Sequence, residues 1–212
     1  NSISSSPAGV AVATTTAVSL FRADANGTIE QVWRDVYENS GERKPGQLSP
    51  GTGSTPVFFG PETGYEYLVM TDNATAANTD NQIPAEHVTI YSTADGTLVA
   101  QTPFLDSTTS GTENAPIAVG NRIFVPSTFG YWYPPPSETP STSVPSLSAV
   151  SFAGGFQGMT LSGSVLTTNW TGGSVLSSAL PRLSLADNLI YTIIVESSTQ
   201  GQGRTLQTTV SY

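Results

Sequence analysis

Three prolines in register constrain this chain more than any other feature. Pro56, Pro116 and Pro181 recur at a spacing of about 60 residues, and a fixed repeat decides the architecture before any local preference does. Each opens the same kind of segment: a short apolar run, a turn and a second apolar run. The three are "TPVFFGPETGYEYLVMTD" from Thr55, "APIAVGNRIFVPST" from Ala115 and "LPRLSLADNLIYTIIV" from Leu180. Between them stands a second kind of hairpin. "AVSLFRADANGTIEQVWRD" turns at Asn26-Gly27, a strong type I′ signal, "HVTIYSTADGTLVAQTPF" turns at Asp95-Gly96, and residues 147–170 form a glycine-loosened version.

Two hairpins make a four-stranded antiparallel sheet. Such a sheet recurring with no helical period between copies predicts the blades of a β-propeller, with units over 10–59, 60–110 and 111–175 and a partial unit over 176–212. Blades cover one another's faces, so inner strands should read as nearly unbroken apolar runs, as "RIFV" and "LIYTIIV" do. Outer strands should alternate, as "TIEQVW" does. A β-sandwich also yields many short strands with regular turns, but it does not explain prolines in register over so long a repeat.

Closed propellers typically have 4–8 blades, so three to four from this chain leave apolar blade faces to be covered. The remainder of a longer propeller, or another chain, is the expected cover. The chain opens on Asn1 and closes on "SSTQGQGRTLQTTVSY", in the middle of an alternating pattern, which fits a cleaved or partial polypeptide whose signal segment has been removed or left out.

Composition narrows the partners. The net charge is −9, from 16 acids against 7 bases, and nucleic-acid binding draws on Lys and Arg, so no nucleic-acid partner is expected. No apolar run is long enough to span a bilayer, so no membrane partner is expected. With no cysteine, compartment is read from the sequons at Asn26, Asn73 and Asn169, which favour a secreted, extracellular glycoprotein.

Four blocks carry a resemblance: "NSGERKPGQLSPGTGSTP", "VMTDNA", "GTENAPIAVGNRIFVPSTFGY" and "LPRLSLADNLIYT". In this order they resemble secreted microbial proteins of the quinoprotein-like and related β-propeller superfamily, over most of residues 10–195. The resemblance implies a larger propeller of which this chain is the C-terminal half or so, and it implies no reaction. Quinone-dependent propeller dehydrogenases dock a tryptophan in each blade. Trp33, Trp132 and Trp170 do not recur in such a register, so no quinone is expected.

The blocks "MTDNAT" and "GTENAP" flank inner strands, which directs Asp72, Glu113 and Asn114 toward one end of the axis. Such oxygen-only donors suit Ca²⁺, and they resemble the Glu, Asn and Asp ligands of calcium-dependent gluconolactonase-type propellers. The same residues also read as turn caps, or, through Arg182 at the matching position of the third repeat, as an ion pair with Glu113. Tyr131, Trp132 and Tyr133, before three prolines, form an aromatic loop suited to carbohydrate, to a protein partner or to covering a blade edge. His87 is the sole histidine and reads as structural, and no zinc is expected with one histidine and no thiol. The functional expectation is a binding or structural scaffold; the alternative is a calcium-dependent, lactonase-like hydrolase or lyase, with Arg182 holding an anionic group.

Overall fold

The computed structural model describes residues 2–41, 43–48, 50–74, 85–106, 109–131, 152–173, 175–195 and 205–211. It is all-β, and no helix occurs among the described residues. The first sheet contains β1 (Ser2–Ser6), β2 (Gly9–Ala13), β3 (Val18–Ala23) and β4 (Ile29–Asp35). The second contains β5 (Val57–Phe59), β6 (Tyr67–Thr71), β7 (His87–Ser92) and β8 (Leu98–Pro103). The third contains β9 (Ile117–Val119), β10 (Arg122–Pro126), β11 (Phe156–Ser162) and β12 (Val165–Thr171). The fourth contains β13 (Arg182–Ser184), β14 (Leu189–Val195) and β15 (Thr205–Ser211). In every sheet the strands are antiparallel and follow chain order, the blade topology expected from the repeat. Pro56, Pro116 and Pro181 stand one residue before β5, β9 and β13, where a missing N–H costs no ladder bond. The described sheets do not close into a ring.

Alternation along each strand makes the sheets stack. In β6, Leu68 and Met70 point to the first sheet and join Leu20, Trp33 and Tyr91 in one core cluster. Val69, one residue out of phase, joins Phe59, Val88 and Ile90 in a second cluster with Ile123, Val125 and Met159 of the third sheet. Phe124 then faces the other way, packing with Phe156 and with Ile190 of the fourth sheet. A period of two thus gives each middle sheet two apolar faces, and burial of these side chains holds successive blades together. A bulge recurs at one place: Val32 in β4, Val99 in β8 and Asn169 in β12 each fall where the outer pair shifts register. An extra residue there increases the local twist of every complete blade at the same point.

The sequence reading begins the first unit at residue 10, whereas its sheet occupies Ser2 to Asp35. No register proline precedes the inner strand of this sheet; β1 reads "SISSS", polar enough to pass for a tail.

The connections divide between two ends. The hairpin turns 7–8, 24–28, 60–66, 93–97, 120–121, 163–164 and 185–188 lie at one end. The short turn 14–17 lies at the other, the loop end, as do the described parts of the longer connections: 36–41, 43–48, 50–56, 72–74, 85–86, 104–106, 109–116, 127–131, 152–155, 172–173 and 175–181. There the described part of segment 36–56 runs as a strap across three blades. Tyr37 donates from its hydroxyl to Thr14 O at 2.6 Å, and Thr52 bonds Thr71 O. Asn73 N–H donates to Glu38 O, and Ser40 N–H to Asn73 O. Beyond them Gly130 N–H donates to Pro45 O, and Thr128 Oγ1 donates to Gly46 O at 2.9 Å.

Candidate functional site at the loop end

Strand register brings the site together. Thr71 of β6 pairs with Val88 of β7, so Asp72 and His87 sit opposite each other where the two strands enter the loop end, and Asp72 N–H donates to His87 O at 3.0 Å. The Asp72 carboxylate is fully buried. Its Oδ1 accepts the main-chain N–H of His87 at 2.7 Å and of Ala74 at 3.1 Å. Its Oδ2 lies 2.7 Å from His87 Nδ1 and accepts from Gln101 Nε2 at 3.4 Å. The exposed Glu38 brings Oε2 to 4.0 Å from His87 Nδ1. The hydrogen bond to Asp72 raises the His87 pKa; burial opposes this, and the charges of Asp72 and Glu38 reinforce it.

Beside this group the strap carries Lys44 into the interior. Lys44 Nζ lies 3.4 Å from Glu86 Oε1, with the side chains 3% and 0% exposed. Gln47 Nε2 donates to the same oxygen at 2.6 Å, and Gln47 Oε1 accepts Lys44 N–H at 2.8 Å. Ser110 Oγ accepts Glu86 N–H at 2.7 Å. Burial pushes Glu86 up and Lys44 down. Lys44 opposes the rise of Glu86, and Asp72 and Glu113 add to it. Both shifts favour the neutral forms, as expected for a pair removed from water.

The residues singled out from sequence fall into separate places. Asp72 meets His87 and Glu38. Glu113 accepts Leu48 N–H through Oε1 at 2.6 Å, and its own N–H donates to Thr128 Oγ1. Asn114 Nδ2 donates to Ser178 O and Ala179 O, tying the third blade to segment 172–181. Glu113 also lines a cavity of about 220 Å³ with Ser2, Thr15, Leu48, Gly51 and Gly53. Arg182 is exposed at the start of β13. Tyr131 packs edge-on against Phe152 with centroids 5.3 Å apart, and Trp132 and Tyr133 lie outside the described residues. Asn26 is exposed at a hairpin tip and Asn169 is exposed on the outermost strand β12. Asn73 is fully buried with its Nδ2 donating to Asn39 Oδ1, so in this fold the atom that would carry a sugar is engaged and enclosed.

Sequence reasoning missed Glu38, His87, Lys44, Gln47 and Glu86 as a neighbourhood. One signal was present: β6 and β7 are consecutive antiparallel strands, so the residue after one and the first residue of the other must meet. Compared with known proteins, the chain matches no family model and no curated protein.

Proposed function

We propose that this chain is a secreted β-propeller glycoprotein acting as an extracellular binding or structural scaffold, with the loop end as its recognition face. One observation carries this reading: the connections between successive sheets leave and enter at one end, together with the short turn 14–17, and the described part of segment 36–56 is hydrogen-bonded across three sheets there. Recognition concentrates on loops held by a rigid scaffold, and among the described residues the hydrogen-bonded inter-sheet connections have that form. Glycans on Asn26 and Asn169 would project from exposed positions. The remainder of the same propeller, or another chain, would cover the outer face of the first sheet, where Ile3 and Val32 are exposed, and of the fourth, where Ile193 is. Carbohydrate is the ligand class that the aromatic run Tyr131–Tyr133 suits.

The test is binding to an array of oligosaccharides. Trp132→Ala should abolish retention, while Asp95→Ala, at a tip of the opposite end, should leave it intact; retention unmoved by Trp132→Ala would sink the proposal. The second reading is a metal-assisted hydrolase or lyase. The buried Asp72 that orients His87 favours it, since a base held by a carboxylate is a common catalytic device. On that reading Arg182 would hold an anionic group, and the calcium set Asp72, Glu113 and Asn114 would need loop movement to converge.

A further inference from the structure

We infer that Glu38, Asp72 and His87 form a binding site for one divalent cation of the zinc class, at the junction of the first two blades. Oxygens of the two carboxylates and a ring nitrogen of His87 all lie within 4.8 Å of one another, the one such group among the described residues. Each ligand arrives from a different segment: Glu38 from the strap, Asp72 from the end of β6 and His87 from the start of β7.

The spacing suits a small ion. With bonds of about 2.0–2.2 Å, neighbouring ligand atoms of a tetrahedral zinc stand roughly 3.3 Å apart. Here Nδ1 lies 2.7 Å from Asp72 Oδ2 and 4.0 Å from Glu38 Oε2, which brackets that value. A rotation of the exposed Glu38 side chain closes the longer distance, and exchange of a hydrogen-bonding proton for the ion opens the shorter one.

The support around the ligands is of the kind that metal sites use. Main-chain N–H groups of His87 and Ala74 occupy Asp72 Oδ1 and turn Oδ2 toward His87, and Gln101 reaches the same carboxylate. Exposure rises from Asp72 at 0% through His87 at 27% to Glu38 at 67%, which leaves one side open to water. A nitrogen donor with only two carboxylates selects a zinc-class ion over Ca²⁺, which takes 6–8 oxygens. The sequence expectation of no zinc counted histidines and thiols, whereas a mixed set needs only one histidine. The site is independent of the scaffold reading.

The test is calorimetric titration of the chelator-stripped full chain with ZnCl₂ and, separately, CaCl₂, read alongside the imidazole NMR signals of the sole histidine. One Zn²⁺ per chain should bind and shift the His87 signals. Glu38→Gln, at an exposed position, and His87→Gln should each weaken binding by about tenfold or more. Glu30→Gln, an exposed acid on β4, should not. Absence of zinc binding, zinc binding unmoved by Glu38→Gln and His87→Gln, or a preference for Ca²⁺ would each overturn the inference.

Discussion

Gly46→Ala tests whether the strap is seated on the third blade. Gly46 has φ of +85°, and a Cβ built there would lie 1.9 Å from Thr128 O, 2.8 Å from Thr128 C and 2.9 Å from Gly130 N. All three are main-chain atoms, so no rotamer change relieves the overlap; the strap must lift. Lifting breaks two hydrogen bonds, Thr128 Oγ1 to Gly46 O and Gly130 N–H to Pro45 O, each worth about 1 kcal/mol net. The left-handed backbone adds about 1 kcal/mol for any residue with a Cβ. Gly27 is the control, with φ of +82° and nothing within 4 Å of a built Cβ. The expected losses are therefore about 3 kcal/mol for Gly46→Ala and about 1 kcal/mol for Gly27→Ala. Urea unfolding followed by tryptophan fluorescence measures them, with matching Tm decreases of roughly 2–4 °C per kcal/mol. Equal losses in the two variants would refute the seated strap.

The buried pair should be strongly coupled. Lys44→Met or Glu86→Gln alone should cost about 1–3 kcal/mol by leaving a buried polar partner unsatisfied, while the double variant should return to within about 1 kcal/mol, because the side-chain amide that Glu86→Gln introduces still accepts from Gln47. A double-mutant cycle that shows additivity would contradict the contact. Glu66 supplies the pH test. Its burial is outweighed by hydrogen bonds from Thr63 and Glu62, whose N–H groups donate to the carboxylate at 2.8 and 2.6 Å, and its pKa falls to about 2. A depressed carboxylate contributes stability fully above its unfolded pKa, near 4.5, and loses it as pH falls through about 2. Glu66→Gln should flatten the stability–pH curve between those values, and a curve parallel to the parent's would contradict the turn.

The blades were legible because they rest on local signals. Proline before a short strand, Asn-Gly and Asp-Gly turns, and a change from continuous to alternating apolar residues are all written within single hairpins. The recurring bulge was not legible, since it depends on a register between two strands. The strap was not legible either. Lys44 and Gln47 look like surface residues in "GERKPGQ", but Glu86, far along the chain, meets both in the interior, and Thr128 holds Gly46 between them. Asp72 was read from the sequence as an oxygen donor for Ca²⁺. It was grouped with Glu113 and Asn114 because their blocks look alike, whereas antiparallel pairing of β6 with β7 gives it to His87.

If residues 36–56 bind the first three blades together at the loop end, Lys44 is sealed from solvent in the folded protein. It is the only lysine, so a single peptide reports its reaction with an acylating reagent. Measured across a urea series, Lys44 should stay unmodified under native conditions and become labelled only along the global unfolding transition. Acylation of the native protein at the rate of a lysine in a short peptide would contradict the strap, and with it the organised loop end on which the functional reading stands.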